Sequence, residues 1–262
     1  MRSTANFDPA PRLSHGKVYA APLSRNFQRG HATALAICLL TLFVAQPATA
    51  APCVILIHGL GRSPASMGLL AQSFAAQGYM VVNLGYPSTR QTVEASAVLV
   101  GRAIDQCRMR GASPVNFVTH SMGAILLRQY FQDHRITDPG RVVMLSPPNH
   151  GSEVVDRHRG EWWFRAATGP AGQELTTGPS SLPNRLRPIP LVVGVIAGTR
   201  NHEPWFAGDF HGPNDGKVSV ASARLPGMTD VITLDVTHTS MPASRQARDQ
   251  AVRFIARGRF VH

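Results

Sequence analysis

One serine, Ser121, lies where a short apolar run gives way to a pattern typical of a helix. The local sequence is Thr119-His120-Ser121-Met122-Gly123. A serine hydroxyl is a weak nucleophile, so it needs an exposed position with a base beside it. A sharp turn from strand to helix supplies that exposure, and small residues at both ends of the pentapeptide allow strand and helix to approach closely. The backbone N–H of Met122, at the start of the helix, is suited to binding an oxyanion.

The elements around this turn alternate between strand and helix. Short apolar, β-branched runs such as Cys53–Ile57 and Val115–Thr119 predict buried strands. Apolar residues at helical spacing, as in Thr92–Met109, predict helices. The alternation indicates an α/β fold with a mostly parallel central sheet and helices on both faces. The predicted strands are 53–57, 79–84, 115–119, 141–145, 191–197 and 231–235, and the predicted helices are 64–77, 92–109, 122–134 and 243–256.

Three motifs, taken in order, resemble those of bacterial secreted lipases and esterases of the α/β-hydrolase superfamily. The segment around Ser121 is similar to the G-x-S-x-G nucleophile elbow, with Thr119 in place of the first glycine. His58-Gly59 after the first strand resembles the oxyanion loop, and 145–152 resembles a loop that lipase-type members carry. The resemblance covers almost all of 51–262. It implies the α/β-hydrolase fold and hydrolysis of carboxylic esters through an acyl-serine intermediate.

The same resemblance assigns the remaining catalytic residues by their order along the chain, which in this family is serine, acid, histidine. It implies that His238, after the last strand, is the general base. Asp215, in an Asn-Asp-Gly turn, is then the acid that orients the histidine ring. Asp209 and Asp235 are alternative acids, although Asp235 lies only three residues from His238 on the same strand end.

The oxyanion hole is also assigned by resemblance. In this family a backbone N–H just after His-Gly completes the hole, which implies Leu60 as the partner of Met122. Gly59 and Gly61 allow backbone geometry that other residues resist. His58 precedes the nucleophile in the chain, so we do not expect it to be the base.

A long insertion, about 147–189, breaks the alternation of strands and helices. It is rich in Gly and Pro and contains Trp162-Trp163-Phe164. Long insertions in compact domains are usually functional, as lids or binding walls. This favours Trp162 and Trp163 as substrate-binding residues. The alternative is a mobile loop whose aromatic cluster packs only for its own stability.

Residues 1–50 have the order of a secretory signal peptide. Two arginines precede an apolar run, 32–45, and Ala48-Thr49-Ala50 resembles a small-residue cleavage site. The apolar run is shorter than the roughly 20 residues that a transmembrane helix needs. We therefore predict export to the periplasm or the extracellular space, with cleavage near Ala50 and a hydrolase domain over 51–262. The alternative is an uncleaved segment that anchors the protein in a membrane.

Cleavage near Ala50 would retain two cysteines, Cys53 and Cys107. An even number of cysteines in an exported protein predicts a disulfide. In the sheet of the α/β-hydrolase superfamily, these two positions fall at the same end of the first strand. The resemblance is therefore consistent with a Cys53–Cys107 bond.

Composition narrows the range of partners. The chain is 44% hydrophobic and 16% charged, which is typical of a globular protein, and its formal net charge is +11. Such a charge keeps a protein soluble or attracts it to anionic membrane surfaces. The sequence has no zinc-finger spacing or aromatic–basic interleaving, so we expect no nucleic-acid partner. It has no H-E-x-x-H, paired C-x-x-C or dinucleotide glycine motif, so we expect neither a metal nor another cofactor.

Several activities remain compatible with these motifs, because members of one superfamily catalyse different reactions. Hydrolysis of carboxylic esters by a lipase or carboxylesterase is the first interpretation. The alternatives are another Ser-His-Asp acyl hydrolase or acyltransferase, such as a thioesterase, amidase or polyester depolymerase, and a non-catalytic binding protein on a hydrolase scaffold. A basic structural protein of the membrane surface is a further alternative.

Overall fold

A computed structural model describes residues 50–262. Residues 1–49, with all but the last residue of the predicted signal peptide, lie outside this range. The strands are β1 (Cys53–Ile57), β2 (Met80–Leu84), β3 (Val115–His120), β4 (Pro139–Leu145), β5 (Val192–Gly198) and β6 (Asp230–Leu234). The helices are α1 (Gly68–Ala75), α2 (Val93–Met109), α3 (Met122–Asp133), α4 (Glu153–His158), α5 (Trp162–Gln173), α6 (Leu182–Arg185), α7 (Val220–Ala223) and α8 (Arg245–Arg257).

The six strands form one sheet in the order β2-β1-β3-β4-β5-β6. Every neighbouring pair is parallel. Because strands that run in parallel end at the same edge, the loops after β1, β3, β5 and β6 meet at the carboxyl edge of the sheet. The predicted parallel α/β architecture is confirmed.

The core has two layers, one on each face of the sheet. All five residues of β1 are buried. Successive side chains of a strand point to opposite faces. Val54 and Leu56 therefore pack in the layer that contains residues of α1 and α8, whereas Ile55 and Ile57 pack in the layer that contains residues of α2 and α3. This explains why the central strands are continuously apolar rather than alternating.

A disulfide joins Cys53 to Cys107, as the sequence predicted. Cys53 is the first residue of β1, and Cys107 lies in the last turn of α2. Cys53 is in register with Val115 at the start of β3, whereas Ser121 follows the end of β3. The bond therefore fastens the amino edge of the sheet, opposite the edge at which Ser121 lies.

Several boundaries differ from the sequence prediction. The helix predicted over 64–77 consists of a 3₁₀ turn, Pro64–Met67, followed by α1. Such tight turns commonly precede helices. The final helix begins at Arg245 because the Ser244 hydroxyl accepts a hydrogen bond from the Ala247 N–H and caps it. None of the helices within 50–262 is both long and apolar enough to cross a bilayer.

The insertion contains helices that the sequence analysis did not predict, namely α4, α5 and α6. Helix α5 is broken at Gly169, where φ is 61°, and Pro170 follows. A side chain at Gly169 would collide with the main chain of Thr89, so the break also lets the insertion approach the loop after β2 closely.

A buried arginine of α3 fastens the insertion to the core. The Arg128 guanidinium donates hydrogen bonds to the carbonyl oxygens of Asn149 at 2.8 Å, Pro183 at 3.0 Å and Leu186 at 2.6 Å. Burial lowers the pKa of Arg128 to about 10, so the side chain remains charged at neutral pH. The two ends of the insertion are thereby held to one helix.

Candidate active site

Ser121 occupies a strained turn between β3 and α3. Its φ is 53° and its ψ is −128°, a conformation that residues other than glycine rarely adopt. A side chain at Gly123 would place its Cβ 2.5 Å from the carbonyl oxygen of Ile57 and 2.7 Å from that of His58. Only glycine therefore lets the first turn of α3 pack against the end of β1. This close approach fixes the turn that carries Ser121.

Thr119 stands where the G-x-S-x-G motif has its first glycine, and the structure accommodates its side chain. Thr119 is buried within β3, in register with Ile57 and Met144 on the neighbouring strands. The residue that comes close to Ser121 is instead Gly59, in the loop after β1, where an added Cβ would lie 3.0 Å from the Ser121 Cβ. The need for small residues around the serine is thus met by Gly59 and Gly123.

The structure brings Ser121, His238 and Asp215 together in one hydrogen-bonded row. His238 Nε2 lies 2.9 Å from Ser121 Oγ, and His238 Nδ1 lies 2.9 Å from Asp215 Oδ2. With the ring proton on Nδ1, the imidazole donates to the carboxylate and its Nε2 accepts from the serine hydroxyl. This is the arrangement that a general base requires. The His238 N–H also donates to the carbonyl oxygen of Asp215 at 2.9 Å, which ties the two loops together.

Asp215 is held by its own turn. Its Oδ1 accepts hydrogen bonds from the N–H groups of Lys217 at 3.0 Å and Val218 at 2.9 Å. Gly216, with φ of 94°, allows this tight turn. Burial by itself raises the pKa of the Asp215 carboxyl, but the positive charge of His238 and the hydrogen bonds outweigh it, so the pKa lies below its ordinary value. The carboxylate is therefore ionised over the whole neutral range.

The two alternative acids lie elsewhere. Asp209 pairs with Arg157 at 3.1 Å and with His158 at 3.0 Å. Asp235 is exposed and pairs with Arg200. Of these three carboxylates, Asp215 is the one that forms a hydrogen bond with the ring of His238.

A second histidine supports the loop that carries His238. His120 is buried directly before Ser121, and its Nε2 lies 3.0 Å from the carbonyl oxygen of His238. Burial and the neighbouring charge of His238 lower the pKa of His120 to about 3. His120 is therefore neutral and contributes position rather than charge.

The two candidate oxyanion donors, the N–H groups of Leu60 and Met122, belong to two segments that meet at Ser121. Met122 begins α3, and Leu60 lies in the loop after β1. Among residues 50–262, neither of their N–H groups donates to a protein acceptor. Tyr86 holds the loop that carries Leu60. Its hydroxyl donates a hydrogen bond to the His58 carbonyl oxygen at 2.7 Å, and the rings of Tyr86 and His58 stack with their centroids 4.3 Å apart. Burial lowers the pKa of His58, so this ring is a neutral support.

A cavity of about 250 Å³ opens beside Ser121 and His238. More than half of the residues that line it have apolar side chains, and most of those side chains come from the insertion. Trp163 and Phe164 both line it, whereas Trp162 is 74% exposed and lies outside the lining. Other apolar wall residues are Leu60, Val154, Val155, Ala167, Leu175, Phe206 and Val218.

Comparison with known proteins identifies the family. The sequence model of the alpha/beta hydrolase family matches residues 54–257. The chain belongs to this family. No protein with a curated description matches the sequence significantly.

Solved structures similar to this α/β hydrolase include lipases and esterases. The mature form of the Bacillus licheniformis lipase BlEst2 has a TM-score of 0.62 at 20% identity, over 83% of this chain and 96% of that one. Its propeptide form is longer, and this chain covers 49% of it. The metagenomic carboxyl esterase MGS0156 has a TM-score of 0.59 at 17% identity, over 74% and 68% of the two chains. At these identities the likeness concerns the fold.

Sequence reasoning did not find several residues around the site of this α/β hydrolase. Arg62 and Lys217 line the cavity, and so does Phe206 from a 3₁₀ helix after β5. Arg62 directly follows the predicted oxyanion loop, and Lys217 is two residues from Asp215, so their proximity to motif residues was a usable indication. No feature of the sequence indicated Phe206, since only the tertiary fold brings it to the cavity.

Proposed function

We propose that this α/β hydrolase is an exported serine esterase or lipase that cleaves carboxylic esters through an acyl-serine intermediate. The observation that carries the proposal is the hydrogen-bonded row of Ser121, His238 and Asp215, with both inter-residue distances to the His238 ring at 2.9 Å. The row lies at the edge of an apolar cavity.

In the first half of the reaction, Ser121 Oγ attacks the ester carbonyl carbon while His238 Nε2 takes the hydroxyl proton. The carbonyl oxygen becomes an oxyanion, which the N–H groups of Leu60 and Met122 bind. The C–O bond to the alcohol then breaks. The departing alkoxide takes the proton from His238, and the acyl group remains on Ser121.

In the second half, His238 removes a proton from water and the resulting hydroxide attacks the acyl carbon. The bond to Ser121 Oγ breaks, the serine regains its proton from His238, and the carboxylic acid departs. Asp215 keeps the ring proton on Nδ1 throughout and stabilises the imidazolium that forms twice in each cycle.

The cavity wall supports an acyl group as the occupant. Its apolar side chains bury hydrocarbon at a gain of roughly 25 cal/mol for each Å² removed from water. Trp163, Phe164 and Phe206 provide aromatic surfaces of this wall. A hydrocarbon acyl chain fits such a wall better than a polar group, because polar groups without partners are costly to bury.

Export is supported by the leader-like sequence and by the Cys53–Cys107 bond, because disulfides persist in oxidising compartments. We expect the protein recovered from the periplasm or medium to begin near Ala51. Mass spectrometry of the intact, non-reduced chain measures both its first residue and the two missing thiol protons. A chain that retains residues 1–50 in the membrane fraction would instead support an uncleaved anchor.

The decisive experiment compares residues 51–262 with the Ser121→Ala variant on p-nitrophenyl esters from butyrate to palmitate. We expect turnover by the unchanged protein and its loss in the variant, with the Ser180→Ala variant as the control, since Ser180 is an exposed serine outside the site. A fluorophosphonate probe should label Ser121 alone. A folded protein that shows neither turnover nor labelling would contradict the proposal and favour a binding role on this scaffold.

A further inference from the structure

Two cationic side chains line the cavity beside the catalytic row, Arg62 and Lys217. None of the described residues in the lining is Asp or Glu. The cavity is therefore apolar along the wall that the insertion supplies and positively charged where these two side chains reach it. A neutral ester uses the apolar wall and has no need of the charge.

The two cations differ in how far their charge is compensated. Lys217 Nζ lies 3.3 Å from Glu203 Oε1 and 4.7 Å from the centroid of the Phe206 ring. Arg62 is exposed and forms no salt bridge with any residue of 50–262. Its guanidinium carries five N–H donors, and the hydrogen bond to Thr239 Oγ1, at 3.2 Å, occupies one. Arg62 thus retains both its charge and most of its donors.

The position of Arg62 indicates which part of an ester it meets. Its partner, Thr239, is the residue directly after His238. The oxygen of the departing alcohol must lie within hydrogen-bond distance of His238 Nε2, because that atom returns the proton to it. Arg62 lines the same cavity as His238 and is hydrogen-bonded to the residue that follows it, which favours a position beside the alcohol portion of a bound ester. The insertion supplies the apolar wall for the acyl portion.

We propose that Arg62 forms a subsite for an anionic oxygen group, a carboxylate or phosphate, on the alcohol portion of the ester. The proposal rests on the esterase function and defines its substrate class. A guanidinium binds such groups through two parallel N–H donors, a geometry that a lysine ammonium does not offer. Because Arg62 is exposed, the interaction is partly screened and weakens as the salt concentration rises.

The test uses two esters that differ only in charge. Hexanoate esters of 3-hydroxy-4-nitrobenzoate and of 3-hydroxy-4-nitrobenzamide release similar chromophores, but only the first carries a carboxylate. The readout is the ratio of the two kcat/KM values, so that a general loss of activity cancels. We expect the protein to favour the carboxylate ester by about two- to fivefold at low salt, which is the upper range for one exposed ion pair. The preference should fall at high salt.

Three variants at the cavity and one control variant away from it assign the effect. Arg62→Gln should remove the preference, and Arg62→Lys should retain only part of it. Lys217→Gln should reduce it less, because the Lys217 charge is already paired with Glu203. Arg110→Gln, at the exposed end of α2, removes the same net charge at the opposite edge of the sheet and should leave the ratio unchanged. An equal ratio in the unchanged protein and Arg62→Gln, or an equal fall in Arg110→Gln, would overturn the proposal.

A second measurement does not depend on turnover. Binding of 3-hydroxy-4-nitrobenzoate and of phenyl phosphate to the Ser121→Ala variant is compared with binding to the Ser121→Ala, Arg62→Gln double variant. Weaker binding to the double variant than to Ser121→Ala supports the subsite. Whichever probe binds Ser121→Ala more tightly shows whether the subsite prefers a carboxylate or a phosphate. Equal affinities in both proteins would refute the subsite, even if the esterase activity itself is established.

Discussion

Replacing Asp215 with Asn tests the catalytic row with almost no change in shape. Asp215 Oδ1 already accepts two backbone N–H groups. An amide NH₂ in that place would face two donors, so the Asn oxygen must occupy it. The NH₂ group then points at His238 Nδ1, which becomes an acceptor, and the ring proton moves to Nε2. That atom can no longer accept the proton of Ser121.

The expected loss is large because the wrong tautomer removes the general base. In Ser-His-Asp enzymes this change lowers kcat by about 10,000-fold, equivalent to roughly 5 kcal/mol of transition-state stabilisation. The assay is hydrolysis of p-nitrophenyl butyrate at neutral pH, with unfolding midpoints measured in parallel. Asp235→Asn is the matched control, since Asp235 is exposed and its carboxylate pairs with Arg200 rather than with His238. It should retain activity within about twofold.

Either of two results would refute this reasoning. One is a folded Asp215→Asn protein that keeps more than about a tenth of the activity. The other is an Asp235→Asn protein that loses as much as Asp215→Asn, which would make Asp235 the functional acid.

Three other substitutions, two of them paired with a control substitution, test the surroundings of the site. Burial holds the pKa of His120 at about 3 rather than 6.5, so the unfolded chain binds an extra proton between these values and stability falls as the pH drops through them. Between pH 7.5 and 5, the unfolding free energy of the His120→Asn protein should therefore fall by about 2 kcal/mol less than that of the unchanged protein, as measured by urea unfolding. An unchanged pH dependence would contradict this. Gly123→Ala should cost about 1–3 kcal/mol in unfolding free energy, whereas Gly68→Ala, whose Cβ meets nothing within 4 Å, should be neutral or slightly stabilising. Trp163→Ala should lower kcat/KM for palmitate about fivefold more than for butyrate, and Trp162→Ala should change both alike; equal behaviour of the two variants would exclude Trp163 as an acyl wall.

Elements with a strong local pattern could be predicted from the sequence. β1 was predicted over 53–57 and has these bounds, because a central parallel strand is buried on both faces and reads as a continuous apolar run. The helices of the insertion could not be predicted in this way. α4 and α6 have six and four residues, too few to show a helical period, and Gly169-Pro170 interrupts α5.

The site was predictable to the extent that it is local. Ser121 lies in a five-residue motif between two recognisable elements, so its neighbours alone suggested its role. The prediction of Asp215 and His238 depended on the order of catalytic residues in a family, since no local pattern separates them from other aspartates and histidines. The cavity could not be predicted, because Arg62 and Phe206 are more than 140 positions apart in the chain and only the packing of loops at one sheet edge brings them together.

The way in which Arg128 holds the insertion bears on how this protein can evolve. All three of its short contacts are to main-chain carbonyl oxygens, which every amino acid supplies. Mutations that exchange side chains in the insertion therefore leave the anchor intact. The cavity wall is free to diversify while α3, the helix that follows Ser121, stays the same, so natural selection can change the shape of the cavity without rebuilding the scaffold.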